Sequence, residues 1–225
     1  MTQYVFGLGT GRCGTASLAR LLDVQENSCF GHENMPLHWW NIMADYEAAK
    51  RKVIKMGDGK DIAGSIAYYW LPYMHKLVED FPNVKFIYVW RDKEEVVESF
   101  WKRNQNRVND KTYPKKAWLS SYPFLRYPPT KEAIADTVAT YENMIEHMMF
   151  YYAHRIFVTK MENLNNMDKM SKLLEFVGIP KDKQVLQECR ENVGGQVKLG
   201  SFHTVYPKAS TTDVLNSERL KEIIQ

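Results

Sequence analysis

Short unbroken apolar runs alternate along this chain with longer stretches whose apolar residues recur at helical spacing. Tyr4-Val5-Phe6-Gly7-Leu8 is such a run, partly β-branched and aromatic, and it ends in the glycine cluster Gly9-Thr10-Gly11-Arg12-Cys13-Gly14. That pattern predicts a strand and then a tight loop. From Thr15 onward Ala16, Leu18, Ala19, Leu21 and Leu22 fall at helical spacing with no breaker before Asp23, which predicts a helix. A helix predicted over about Ser65 to Phe81 and a Pro82-Asn83 turn lead into a second apolar run, Val84 to Trp90, which reads as a buried central strand. The stretch that follows has acidic residues near its start, basic ones near its end, and Val96, Val97, Phe100 and Trp101 on one side, the charge order that a helix dipole favours. A helical pattern resumes from Ala133 to Tyr152, a short strand is predicted over Arg155 to Thr159, and a helix from Met167 to Val177 stops at Gly178-Ile179-Pro180. Strands alternating with helices imply an α/β fold, three layers deep, with a central, mainly parallel sheet flanked by helices.

Composition narrows the picture. The 225 residues, 44% hydrophobic and 25% charged, fit one domain spanning 1–225 with a full core. A net charge of +3 does not mark a general polyanion binder, so no nucleic-acid partner is expected. No run approaches the roughly 20 apolar residues of a membrane span. Met1-Thr2-Gln3 leads straight into the first strand without a basic head, and a soluble, cytoplasmic protein is the expectation. Cys13, Cys29 and Cys189 are scattered and show no C-x-x-C spacing, which points to free thiols. His147 and His154 lack a third ligand, and no metal is expected. Residues 107–130 hold four prolines and read as irregular. From Lys102 to Lys131 eight basic residues face one acid, Asp110, and interleave with Trp118, Tyr122, Phe124 and Tyr127. Such a segment suits a lid over an anion, a site for an anionic or sugar-like molecule, or a solvated loop.

The glycine cluster carries the first chemical signal. Between a strand and a helix it presents backbone N–H groups at the positive end of the helix dipole, where a phosphate or sulfate can be held. Against the nucleotide-hydrolase pattern G-x-x-x-x-G-K-[ST], Gly9 and Gly14 fit, but Thr15 stands in place of the lysine and Ala16 in place of the magnesium-binding hydroxyl. Arg12, Thr15 and Ser17 offer instead a cation and two hydroxyls that hold an anion without a metal. Cys13 sits at the helix start, where a thiolate is stabilised and oxidation would block anion binding.

Two separated motifs resemble the sulfotransferase family, enzymes that move a sulfuryl group from 3′-phosphoadenosine 5′-phosphosulfate to a hydroxyl or amine. GTGRCGTASLARLL, residues 9–22, is similar to the family's 5′-phosphosulfate loop, with Arg12, Cys13, Gly14 and Thr15 in the places of its basic residue, small residue, glycine and threonine. FIYVWRDKEEVVESF, residues 86–100, is similar to the 3′-phosphate motif, an apolar strand, an arginine and a serine eight residues later, here Arg91 and Ser99. Lys93 stands where that motif commonly has proline. A weaker likeness covers RIFVTKMENL and KLLEFVGIP, residues 155–164 and 172–180.

The resemblance implies a nucleotide-binding set of Gly11, Arg12, Cys13, Gly14, Thr15, Ala16 and Ser17, with Arg91 and Ser99 on the 3′-phosphate and Lys198 in a C-terminal contact loop. It implies 3′,5′-adenosine bisphosphate as product, no metal, and a small-molecule or glycan acceptor. Family members that use a glutamate base often place it shortly after the first helix, where Gly31-His32-Glu33-Asn34 falls. Glu33 is therefore the expected base, His32 its competitor, and Arg12 the group that stabilises the departing phosphate. Trp39-Trp40 and Tyr68-Tyr69-Trp70 are candidates for an acceptor pocket, and Asp58 and Lys60 are read as structural. Two other readings stay open: a small-molecule kinase with a degenerate loop, and a nucleotide-binding protein without transfer activity.

Overall fold

Five parallel strands make the centre of the molecule: β1 (Gln3–Leu8), β2 (Ser28–His32), β3 (Ile62–Ile66), β4 (Lys85–Trp90) and β5 (Ile156–Lys160), in the spatial order β2-β3-β1-β4-β5. The computed structural model describes residues 1–35, 37, 45–108 and 130–187, with side chains left undescribed at 104–108. Among the described residues six helices connect and cover the strands: α1 (Thr15–Asp23), α2 (Tyr46–Met56), α3 (Met74–Asp80), α4 (Lys93–Val108), α5 (Lys131–Tyr152) and α6 (Met167–Val177). The side-chain period of two along β1 and β4 divides the core. Phe6, Leu8, Phe86 and Tyr88 point into one cluster with residues of α2, α3 and α5, while Val5, Ile87 and Val89 point into the other with α1 and α6. A smaller patch, Val96 and Phe100 of α4 against Ile134 and Val138 of α5, fastens those two helices together. The three-layer α/β fold with a parallel sheet is the one that the alternation of runs implies.

Two strands escape the periodicity. β2 and β3 are not among the predicted elements, and the helix expected over Ser65 to Phe81 is instead the end of β3, a 3₁₀ turn at Tyr68–Tyr73 and the short α3. The reason is composition. Ile62-Ala63-Gly64-Ser65-Ile66 has small residues at its centre, and the 3₁₀ turn is apolar nearly all round and carries Pro72, so neither shows an amphipathic period. Trp70 is fully buried edge-on to Phe6 at 4.7 Å between ring centroids, and Tyr68 and Tyr69 are buried beside it. The burial of all three agrees with core packing. α2, also unpredicted, begins where the Asp45 side chain accepts from the Ala48 amide, and it buries only Tyr46, Ala49 and Val53. The irregular segment expected at 107–130 is corrected at its first two residues, since α4 runs to Val108, and the rest of it up to 129 lies outside the described residues. Trp39, Trp40, residues 109–129, Cys189 and Lys198 lie outside the described residues.

Among the described residues no helix is long and apolar enough to cross a membrane. Asp58 and Lys60 fall in the turn before β3, where the Thr2 hydroxyl donates to the Gly57 and Lys60 carbonyls, each at 2.9 Å. That turn leads into the N-terminal end of the sheet, which agrees with a structural role.

Gly64 pairs with Val5, and a Cβ there would collide with the Val5 carbonyl oxygen, a backbone atom that cannot rotate away. Gly64→Ala is expected to destabilise the fold by about 3 kcal/mol or more, read as a lower denaturant midpoint or as loss of soluble protein.

Candidate active site

The strand order places the site. From β1 the chain crosses to β2 on one side, and from β3 it passes to β4 on the other, so the carboxyl ends of β1 and β4 flank the point where the winding reverses. Ligands of open α/β sheets bind in the crevice outside such a point. The glycine loop leaves β1 there, and Arg91 follows β4 immediately beside it.

The loop is built to leave backbone donors available. α1 is entered through Gly14, whose φ of 94° belongs to the left-handed region, with no side-chain cap and no acid in the first turn. By contrast Asp45, Asp92, Thr130 and Asn166 cap α2, α4, α5 and α6 with side-chain oxygens. The uncapped end keeps its positive potential and its orphan amides for an anion. At the other end of the loop the Gly9 amide donates to the Tyr141 hydroxyl of α5 at 3.0 Å.

Arg12 joins the two motifs. Its Nε donates to Ser99 Oγ at 3.1 Å, and its carbonyl accepts from Arg91 Nη1 at 2.9 Å. Arg91 Nε in turn donates to Glu95 Oε2 at 2.9 Å, one helical turn on. Loop cation, strand-end arginine and helix serine, far apart in sequence, thus form one connected cluster. Arg12 itself is held at φ 60°, in the left-handed region.

Glu33 follows the end of β2, next to His32, whose ring meets the loop at Thr15. Its backbone is also left-handed, at φ 46°, and is pinned by its amide donating to the Ile66 carbonyl at 3.1 Å and by the Met35 amide donating to the Tyr69 hydroxyl at 2.8 Å. The described non-glycine residues with positive φ are Arg12, Asn27 and Glu33. Asparagine tolerates that conformation, whereas arginine and glutamate hold it at a cost of order 1 kcal/mol, a kind of strain that gathers at functional sites. His32 Nε2 lies 3.1 Å from Thr15 Oγ1 and 3.8 Å from Glu33 Oε1. Burial pushes the imidazole below its ordinary value, more than the neighbouring Glu33 carboxylate raises it, so the ring is neutral and engaged with the loop threonine.

The structure therefore brings together the loop Gly11, Arg12, Cys13, Gly14, Thr15, Ala16 and Ser17 with Arg91 and Ser99, while His32 meets the loop at Thr15 and Glu33 lies beside His32. One expectation is corrected. Cys13 is buried, and burial pushes its thiol up to about 11, outweighing the Thr10 side chain and loop amides that favour the anion. It is a packed thiol filling the space beside Gly9, where a Cβ would collide with its sulfur, and no stabilised thiolate. His147 lies against the Tyr151 ring at 5.2 Å. Among the described residues no group of three or more His, Cys, Asp or Glu is placed to hold a metal.

Sequence reasoning misses Tyr141 and Glu142, and it reads Tyr69 as a pocket wall rather than as the hydroxyl that fixes Met35. The two tyrosines fit apolar core patterns, which say nothing of where a hydroxyl points. Glu142 is 6% exposed on α5, and burial pushes its carboxyl up to about 7, against the pull of Lys93 and with help from Glu146, Glu94 and Asp92.

The model of the Sulfotransferase domain family matches residues 4–177, and the chain belongs to that family. No curated protein matches it in sequence. Among solved structures it is similar to a sulfotransferase from Alicyclobacillus acidocaldarius, with a TM-score of 0.61 at 15% identity over 86% of this chain and 87% of that one. Weaker likenesses are to mouse sulfotransferase SULT7A1 complexed with PAP (TM-score 0.49, 11% identity, 79% of this chain and 59% of the mouse one) and to shikimate kinase from Bacteroides thetaiotaomicron (TM-score 0.46, 9% identity, 79% and 99%). The protein is thus a transferase of P-loop α/β architecture.

Because the folded state keeps the Glu142 proton to higher pH than the unfolded chain, stability falls as pH rises from about 4.5 to about 7. Glu142→Gln is expected to raise the unfolding free energy by roughly 1–3 kcal/mol above pH 7. The gain should vanish near pH 4, and denaturant titrations at the two pH values check both signs.

Proposed function

We propose that this single domain transfers a sulfuryl group from 3′-phosphoadenosine 5′-phosphosulfate to a hydroxyl or amine of a small-molecule or glycan acceptor. The observation that carries the reading is the Arg12–Ser99 and Arg91–Arg12 pair of hydrogen bonds, which sets two anion-binding motifs side by side at the mouth of an uncapped helix. The residues fit a nucleotide with phosphates at both its 3′ and 5′ positions. The loop from Gly11 to Ser17 cradles the 5′ end, and Arg91 and Ser99 take the 3′-phosphate. Lys198 is assigned to the same nucleotide by resemblance alone. Membership of the sulfotransferase domain family agrees with this donor.

When bound, the donor supplies the sulfuryl group together with a phosphate leaving group. Arg12 and the loop amides face that phosphate and offset the charge that builds on it as the bond breaks. Glu33, beside His32 on a constrained backbone, receives the proton of the acceptor hydroxyl as it attacks. His32, neutral and bonded to Thr15, orients the loop hydroxyl. That engagement favours Glu33 over His32 as base. Thr15 and Ala16 in the lysine and magnesium-ligand places of an ATP-binding loop argue against the kinase reading.

Thermal unfolding separates the readings. At about 100 times its dissociation constant, 3′,5′-adenosine bisphosphate adds about 2.7 kcal/mol, or roughly 5–10 °C for a chain of this length. Arg91→Ala and Ser99→Ala should lose most of that shift. A shift with magnesium–ATP and none with the bisphosphate would replace this reading with a kinase.

With an acceptor in hand, Glu33→Gln should lower kcat by about 10²–10⁴ and leave bisphosphate binding intact. Near-normal turnover in that variant would remove Glu33 from the role of base, and bisphosphate binding with no turnover on any acceptor would favour a protein that has lost transfer.

A further inference from the structure

Arg91 already holds an anion of the protein's own making. Its side chain is mostly buried, 22% exposed, and is fixed on one side by the bond from Nη1 to the Arg12 carbonyl. On the other side Nε donates to Glu95 Oε2 at 2.9 Å. A guanidinium binds phosphate best through two parallel N–H bonds along one edge of its planar fork. With Nη1 committed to the Arg12 carbonyl, the edge open to such an anion is the one that includes Nε, and the Glu95 carboxylate sits on it. Glu95 differs from Arg91 in freedom. Its side chain is 54% exposed, on the first turn of α4, and a carboxylate that open to water is held only weakly by a single ion pair.

Building on the donor reading above, we propose that Glu95 occupies the 3′-phosphate seat of Arg91 in the nucleotide-free protein, so that the 3′-phosphate enters by displacing it and Glu95 sets the charge that a ligand needs to gain the seat. A dianionic phosphate outcompetes a single carboxylate for the guanidinium. A ribose bearing only a 3′-hydroxyl brings no charge and leaves the Arg91–Glu95 pair closed. Once displaced, the carboxylate remains tethered within a few ångströms of the phosphate and repels it. Glu95 therefore weakens binding of the right ligand while excluding the wrong one, and acts on selectivity through Arg91 without touching the reacting atoms.

The test is calorimetric titration of wild type, Glu95→Gln and Glu95→Ala with 3′,5′-adenosine bisphosphate and, separately, with AMP, after ligand-free thermal midpoints establish that each variant is folded. Both substitutions are expected to tighten bisphosphate binding by about 3- to 10-fold, with AMP affinity unchanged within about twofold of wild type. A purely structural contribution of Glu95 would give the opposite sign, and bisphosphate binding that is unchanged or weaker in both variants overturns the proposal, making Glu95 a prop for Arg91. If tightening extends equally to AMP, Glu95 is a general electrostatic brake, and the assignment to the 3′ seat fails. Wild-type protein that binds the bisphosphate no better than AMP would instead overturn the donor reading itself, a result that the wild-type titrations alone reveal.

Discussion

The hydrogen bond from Arg91 to the carbonyl of Arg12 is the constraint on which the site depends. Arg12 sits in a backbone conformation that costs energy for any residue with a side chain, and a loop free to relax would leave it. Arg91, rooted at the end of a central strand, holds that carbonyl in place, while Ser99 holds the same residue's side chain. The loop is therefore shaped from outside itself, by the strand next to β1. That arrangement is available only because β1 and β4 are neighbours, which follows from the sheet order.

A second support runs from the other side of β1 in the same sheet. β2 delivers Glu33, and the strained turn that carries it is tied to β3 through the Ile66 carbonyl and to the buried 3₁₀ turn through the Tyr69 hydroxyl. His32 closes the circuit by meeting Thr15 at the start of α1. The proposed base and the anion loop are thus each held by hydrogen bonds to elements that are otherwise core, and a packing change at Tyr69 would be felt at Glu33. Rigid elements placing a few polar groups is the usual route to preorganisation, and here the cost is visible as two left-handed residues.

How much of this was legible in the amino-acid order depended on whether a feature has a local signature. β1, α1, β4 and α6 stood out because their runs are either continuously apolar or regularly spaced, and Arg91 and Ser99 because their spacing resembles a family motif. β2 and β3 did not. Ser28-Cys29-Phe30-Gly31-His32 and Ile62-Ala63-Gly64-Ser65-Ile66 are built of small residues selected by neighbours far away in sequence, as the clash awaiting any Cβ at Gly64 illustrates. The misreading of Cys13 has the same origin. Its position at a helix start was visible, but the burial that keeps its thiol protonated belongs to the packed layers around it. Glu142 and Tyr141 were silent because a polar atom within an apolar helix face has no pattern of its own.

The bond between the Gly9 amide and the Tyr141 hydroxyl has a consequence for dynamics. It ties the first peptide of the loop to α5, a 22-residue helix that begins at Lys131 and is fastened to α4 by an apolar patch. Exchange of the Gly9 amide with solvent deuterium therefore requires α5 to lift or the loop to part from it. That single backbone proton reports the seating of a helix whose first turn lies a long way along the chain, and a molecule that steadied α5 from its outer face would slow its exchange without entering the cleft.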